Sequence, residues 1–188
     1  MRNESRRGRV WSRWSGVVLV AGLLAQAVPV LAQGADTGLT TVYLVRHAER
    51  ATDHETDPTL TPAGTERAAE LARMLADVPL TAIHSTDYRR TRLTAAPVTG
   101  PRGMEVHVYD PRGPGMEALV ELLRTSPGHH LVVGHSNTTP ALVEALGGDP
   151  ISPIAEDEYD RLYVVVLDGD DAVTSSLLRF GAHPDGGR

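Results

Sequence analysis

The chain has 188 residues, of which 41% are hydrophobic and 22% are charged, and its formal charge is −6. This length and composition predict one domain that buries its own hydrophobic core. The chain contains no cysteine, which excludes disulfides, thiol nucleophiles and thiolate metal sites. Aromatic residues make up 4% of the chain, which argues against a stacking surface for single-stranded nucleic acid.

The first 32 residues have a different composition from the rest of the chain. Residues 1–14 are basic, residues 16–30 are uncharged and mostly apolar, and residues 30–32 form a Val-Leu-Ala cleavage pattern. This layout predicts a signal peptide over residues 1–32, followed by a domain over residues 33–188. The alternative is an uncleaved anchor, but the apolar run is shorter than the roughly 20 residues that span a bilayer. We expect a secreted or periplasmic protein that meets the membrane only through this segment.

The charge of the predicted domain is strongly acidic. Residues 1–32 carry five arginines and one glutamate, so the rest of the chain has a formal charge of −10. Such a charge disfavours general binding to nucleic acid, which requires a basic surface. All 18 basic residues are arginine, so any phosphate that a permanent side-chain cation binds must be bound by arginine.

Strand and helix patterns alternate along most of the predicted domain. A β-rich run covers residues 41–45, and a helix begins at Thr61-Pro62. A second strand at residues 80–85 precedes a helix that Asp87 can cap and that stops near Pro97. The later elements are a strand at 105–109, a loop at 110–115, a helical stripe at 116–123, a strand at 130–134, a helix at 140–146, and two strands at 161–167 and 172–180 joined by a hairpin turn. This order predicts an α/β fold, a three-layer α/β/α sandwich whose doubly wound sheet is mostly parallel and ends in an antiparallel strand pair.

Basic side chains follow three of the predicted strands. Arg46 and His47 end the first strand, Arg90 comes shortly after the second, and His135 follows the strand at residues 130–134. The carboxyl ends of strands in an open parallel sheet converge on one crevice. We therefore expect two histidines and two arginines to form one anion-binding site.

This set of residues can transfer a phosphoryl group without a metal or cofactor. A neutral imidazole can attack phosphorus once cations neutralise the phosphate oxygens, and Arg46 and Arg90 would supply that charge. His135 could donate to the phosphoryl group, and Ser136 and Asn137 could add contacts from the start of the next helix. A metal site built from His47 with Glu49, Asp53, His54 and Glu55 is disfavoured because the spacing matches no standard ligand pattern.

Four motifs, in order over about residues 41–147, resemble those of the histidine phosphatase, or phosphoglycerate mutase-like, superfamily. Arg46-His47-Ala48-Glu49 is similar to its Arg-His-Gly signature, with alanine replacing glycine. Residues 60–64, Leu-Thr-Pro-Ala-Gly, resemble its Leu-Thr-x-x-Gly segment. Residues 85–95 resemble its Ser-x-x-x-Arg-Ala-x-x-Thr-Ala helix, and residues 133–137 resemble its second-histidine motif. The ordered set is much more specific than any single motif.

The resemblance implies a residue-by-residue assignment. His47 would be the phosphorylated nucleophile, and Arg46, Arg90 and His135 would form the phosphate pocket. Arg90 is selected over Arg89 because it lies four residues before the motif threonine. Asp110 stands near the position of the family's proton donor, and a turn-forming aspartate is the equally weighted alternative. Glu49 is expected to orient basic groups at the pocket edge.

These residues predict an exported phosphohydrolase that acts on phosphomonoesters or phosphohistidine. Its partner would be a small-molecule phosphate ester or a phosphorylated carrier. The alternatives are a phosphoglycerate mutase-type phosphotransferase, disfavoured by the lack of long insertions, and a non-catalytic phosphate-binding module. The sequence indicates neither the leaving group nor an oligomeric state.

Overall fold

A computed structural model describes residues 38–168 and 172–182. The predicted signal segment lies outside the described residues, and so do residues 169–171 of the predicted hairpin turn. Among the helices of the described ranges, none has the length and apolar character needed to cross a membrane.

One six-stranded sheet forms the centre of the described structure. Its strands, in chain order, are β1 (Leu39–Arg46), β2 (Leu80–Ser85), β3 (Val106–Val108), β4 (Gly128–Gly134), β5 (Arg161–Asp168) and β6 (Ala172–Arg179). Their spatial order is β3-β2-β4-β1-β5-β6. The first four strands in that order are parallel, whereas β5 is antiparallel to both β1 and β6.

Within residues 38–168 and 172–182, four helices cover the two faces of the sheet: α1 (Pro62–Met74), α2 (Arg89–Thr99), α3 (Pro114–Thr125) and α4 (Thr138–Ala145). A short 3₁₀ turn, Gly100–Arg102, follows α2. Apolar residues of α1 and α2 pack with one face of the sheet, and those of α3 and α4 pack with the other. The predicted three-layer α/β/α class is therefore confirmed, including the antiparallel strands at the end of the chain.

Two details of α2 differ from the prediction. The helix continues through Pro97 to Thr99, because its last turn is held by the buried side chains of Ala95 and Val98. Asp87 does not cap the helix; the structural cap position is Tyr88, which makes no side-chain capping bond. The Asp87 carboxylate instead accepts a 2.8 Å hydrogen bond from Nε of Arg92, since an ion pair competes with the capping role.

The strand register brings the predicted site residues to one edge of the sheet. Arg46 at the end of β1 lies beside Gly134 at the end of β4, and Ser85 at the end of β2 lies beside Val133. The loops that leave these three strands therefore start next to one another. This edge contains the crevice expected for a parallel sheet.

Candidate active site

His47 lies immediately beyond β1, and its side chain is buried. Its backbone N–H donates to the carbonyl of Gly134 at 2.9 Å, which fixes the residue against the end of β4. Its ring Nδ1 lies 2.8 Å from the carbonyl oxygen of Ala48. A carbonyl can only accept, so Nδ1 carries the proton and Nε2 keeps its lone pair. The neutral ring is thus prepared to use Nε2 as a nucleophile.

The loop after His47 is tied to helix α2 through a threonine. The Ala48 N–H donates to Oγ1 of Thr94 at 3.0 Å, and the Thr94 hydroxyl donates to the carbonyl of Arg90 at 2.8 Å. Thr94 is the threonine of the 85–95 motif. It therefore joins the segment that carries His47 to the helix turn that carries Arg90.

His135 follows β4 and faces His47 edge to face, with 5.4 Å between the ring centroids. Its Nε2 lies 2.9 Å from Oγ1 of Thr86, which lies 3.0 Å from Oγ1 of Thr91. The Thr91 hydroxyl donates to the carbonyls of Thr86 and Tyr88, both at 2.9 Å, so Thr86 donates to Thr91. Thr86 Oγ1 therefore accepts from Nε2 of His135, and the neutral imidazole carries its proton on Nε2.

Arg46 and Arg90 supply the positive charge of the site. The Arg46 guanidinium is buried, donates to the carbonyls of Ala155 and Glu158 at 2.6 and 3.0 Å, and lies over the ring of Tyr159 at 4.2 Å. The Arg90 guanidinium lies 4.3 Å from the ring centroid of Tyr88. Within the described residues, the buried Nε atoms of both arginines have no hydrogen-bond partner.

Burial sets the protonation of the site. Burial, together with the nearby charges of His135, Arg46 and Arg90, lowers the pKa of His47 to about 3 against the opposing effect of the hydrogen bond to Ala48. Burial and the same two arginines lower the pKa of His135 to about 4. Burial also lowers the pKa of both arginines, which nevertheless stay charged. The contributions of Arg46 and Arg90 to the histidine shifts indicate a positive potential in the site, which favours binding of an anion.

A cavity of about 320 Å³ opens over these side chains. Six of the seven predicted site residues line it: Arg46, His47, Arg90, His135, Ser136 and Asn137. The structure thus brings together the ends of three strands as expected. Arg89 does not line this cavity, and its backbone N–H and guanidinium interact with Asp57 and Asp53 instead.

Asp110 is the predicted site residue that the structure does not bring into the cavity lining. Its side chain is exposed, and Oδ1 accepts a 3.1 Å hydrogen bond from the backbone N–H of Arg112. This contact is typical of an aspartate that stabilises a turn. A role for Asp110 as proton donor stays a prediction.

Glu49 turns away from the cavity and pairs with Arg67 of α1. The Arg67 Nε and Nη2 atoms lie 2.7 to 3.0 Å from the Glu49 carboxylate oxygens. Arg67 also donates to the carbonyls of Phe180 and Ala182, both at 2.7 Å. Glu49 therefore anchors the segment after His47 to α1 and to the end of the described chain.

The glycine of the 60–64 motif allows α1 to approach this segment. Thr61 caps the helix by accepting from the Gly64 N–H at 3.0 Å, and its own N–H donates to the Glu49 carbonyl at 2.9 Å. A Cβ atom on Gly64 would collide with the backbone of Glu49. The motif is thus explained by close packing of a helix start against the loop after His47.

Several cavity residues were not predicted from the sequence. Arg50, Tyr88, Arg112 and Glu156 all line the cavity. Tyr88 lies inside the 85–95 motif, so the sequence could have indicated that it lies near the site. Glu156 comes from the segment before β5, outside every motif, and its Oε2 lies 3.6 Å from Nη2 of Arg46. Among the described residues, no group of three or more histidine or acidic side chains is arranged to hold a metal ion.

Comparison with known proteins agrees with this geometry. Residues 42–111 match the family model of the histidine phosphatase superfamily (branch 1). The fold is similar to that of a protein histidine phosphatase SixA complexed with tungstate, with a TM-score of 0.59 and 19% identity over 77% of this chain and 97% of that one. An Agrobacterium tumefaciens protein assigned as phosphohistidine phosphatase SixA is 27% identical over 76% of this chain and 97% of that one, with a TM-score of 0.54. Phosphoglycerate mutase from Bacillus anthracis str. Sterne gives a TM-score of 0.56 and 17% identity over 77% of this chain and 95% of that one.

The family-model match covers 70 of the 188 residues and includes Arg46, His47 and Arg90 of the cavity. The six-stranded α/β sheet and the paired histidines and arginines agree with this similarity to the histidine phosphatase superfamily. No curated protein matches the chain.

Proposed function

We propose that the chain is a phosphohydrolase that cleaves phosphomonoesters or phosphohistidine through a covalent phosphohistidine on His47. One observation carries the proposal: the Nδ1 proton of His47 is committed to the Ala48 carbonyl, which leaves the Nε2 lone pair free in a cavity lined by two arginines. That arrangement is the one an imidazole nucleophile needs to attack an anionic phosphoryl group.

The reaction would run in two steps. Arg46 and Arg90 bind the phosphoryl oxygens while Nε2 of His47 attacks phosphorus, and the bond from phosphorus to the leaving group breaks. Water then attacks the phosphohistidine, which releases inorganic phosphate and returns the electron pair to Nε2. The bound phosphoryl anion favours the imidazolium form of His135, whose Nδ1–H then stabilises the charge on the transferring group in both steps.

Hydrolysis of an aryl phosphate by His47→Asn tests the proposal. We expect kcat/KM to fall by more than about a thousandfold, because the nucleophile is removed. The matched control is His84→Asn, since His84 is also a buried histidine whose pKa is lowered, to about 4, but it lies outside the site cavity. Equal loss of activity in both variants, or no loss in His47→Asn, would contradict the proposal.

Few groups in the cavity can donate a proton to a leaving group, so we expect the site to favour substrates with good leaving groups, such as phosphohistidine. Within the described residues, the carboxylate that lines the cavity belongs to Glu156, which lies beside Arg46. The Glu156 side chain is 81% exposed, so the cavity does not hold this carboxyl group in place as a dedicated proton donor. We expect phosphohistidine to be hydrolysed faster than an alkyl phosphate of similar size. A preference for the alkyl ester would contradict this part of the proposal.

Export is a further part of the proposal, and it depends on the sequence of residues 1–32. Cell fractionation after expression of the full chain tests it. The protein is expected in the periplasm or medium with a new start near Gln33, and a chain retained in the cytoplasm would contradict export.

A further inference from the structure

The side chains of two arginines at the cavity have no hydrogen-bond or ion-pair partner within the described part of the chain. Arg50 and Arg112 form no side-chain hydrogen bond or ion pair there, whereas every other arginine of the described ranges has at least one. Both are exposed, and both line the cavity that contains His47. Within those ranges, Arg50 and Arg112 therefore differ from the other arginines in being unpaired, and they differ from an ordinary exposed arginine in lining the cavity.

The phosphoryl group does not require these two cations. Arg46 has 4% of its side chain exposed and Arg90 has 14%, so the deeper part of the site already supplies two guanidinium groups. Arg50 acts electrostatically on both of them and lowers the pKa of each. The acid that lines the cavity, Glu156, is 3.6 Å from Arg46. Positive charge therefore remains at the mouth after a phosphoryl group is bound.

The backbone holds Arg112 at this mouth. Asp110 accepts a hydrogen bond from the Arg112 N–H at 3.1 Å, and the intervening Pro111 also lines the cavity. A Cβ atom on Gly115 would lie 2.6 Å from the Asp110 carbonyl oxygen, so the start of α3 packs tightly against this turn. Asp110 is thus placed to position the turn that presents Arg112.

We propose that Arg50 and Arg112 form a second anion subsite, which binds a carboxylate or phosphate group on the leaving group of a small-molecule substrate. The inference rests on the proposed function, because it assumes that the phosphoryl group occupies the site formed by Arg46 and Arg90. An arginine that binds a carboxylate or phosphate does so through charge-assisted hydrogen bonds, which are stronger than neutral ones. The subsite selects substrates with two anionic groups.

Binding of non-hydrolysable phosphonates tests the subsite independently of turnover. Titration calorimetry on the full chain would compare phosphonoacetate, phosphonopropionate and phosphonobutyrate with uncharged alkyl phosphonates of equal length. We expect the best carboxylate ligand to bind about tenfold more tightly than its alkyl counterpart, as one charge-assisted contact would give. The preference should weaken as salt is added, because the subsite is exposed.

Arg50→Gln and Arg112→Gln are each expected to reduce this preference to about twofold or less. The matched control is Arg73→Gln, which removes an exposed arginine on α1 that pairs with Glu70 outside the cavity. It should leave the preference unchanged. Asp110→Ala should weaken binding of the carboxylate ligand more than that of its alkyl counterpart.

The outcomes separate the subsite from the proposed function. A wild-type protein that binds alkyl phosphonates and shows no preference for the carboxylate series overturns the subsite alone. A preference that persists in both arginine variants overturns it as well. Failure to bind any phosphonate, together with absence of phosphatase activity, overturns the proposed function and the subsite with it.

Discussion

The ion pair between Glu49 and Arg67 offers a sharp test of how the segment after His47 is held. Arg67 has 7% of its side chain exposed and Glu49 has 21%. The Glu49→Gln variant would remove the negative charge and leave the Arg67 guanidinium in a largely buried position. Breaking a fully buried pair in this way costs about 3 to 5 kcal/mol.

The expected cost for Glu49→Gln is somewhat lower. Arg67 retains its hydrogen bonds to the carbonyls of Phe180 and Ala182, and Glu49 is partly exposed. We therefore expect the free energy of unfolding to fall by about 2 to 3 kcal/mol. Because Glu49 does not line the cavity, the loss of kcat/KM under conditions where the variant is folded should be much smaller than that of His47→Asn.

Helix α1 also provides the matched control. Glu70 and Arg73 form a pair of similar length, 2.6 Å, but their side chains are 31% and 72% exposed. Glu70→Gln should leave the free energy of unfolding almost unchanged, because an exposed ion pair contributes little to stability. Urea unfolding of the two variants checks the difference. A gap of less than about 1 kcal/mol between them would refute the reasoning about burial.

Three further predictions follow from the buried histidines and the close approach of α1. The pKa values of His47 and His135 are lowered to about 3 and about 4, so kcat/KM, corrected for ionisation of the substrate, should fall on the acid side only below about pH 5. A fall near the usual histidine pKa of about 6.5 would contradict this prediction. The free energy of unfolding should fall as pH drops from about 6.5 toward about 4, because His84 binds a proton in the unfolded chain but not in the native one. In urea unfolding of His84→Asn, the slope of this free energy against pH should be smaller by the equivalent of one proton, and an unchanged slope would contradict the prediction. Gly64→Ala should lower the free energy of unfolding by about 1 to 3 kcal/mol, because the added Cβ atom collides with the Glu49 backbone. The control Ala63→Gly, at the exposed neighbouring position, should cost at most about 1 kcal/mol, and equal effects of the two changes in thermal unfolding would contradict the prediction.

The α/β class and the meeting of His47, Arg90 and His135 could be predicted because both depend on local patterns. Alternating strands and helices define a parallel sheet, and the ends of parallel strands meet at one edge. The predicted end of α2 near Pro97 was wrong, because tertiary packing of Ala95 and Val98 outweighs the tendency of Pro97 to stop a helix.

Other parts of the site depend on contacts between distant segments. Arg67 reaches both Glu49 and the carbonyl of Phe180, which no spacing in the sequence indicates. Glu156 enters the cavity from the segment before β5, a stretch without a motif. The expected role of Glu49 at the pocket edge is replaced by its pairing with Arg67, because a largely buried guanidinium requires a partner.

The central claim is that His47 carries the phosphoryl group, and trapping that intermediate tests it most directly. The full chain would be mixed with a ³²P-labelled phosphomonoester, quenched in alkali, digested and analysed by mass spectrometry. We predict acid-labile, alkali-stable phosphate on the peptide that contains His47, and none in His47→Asn. Turnover of substrate with no phosphate on His47, or with phosphate on another residue, would contradict the account.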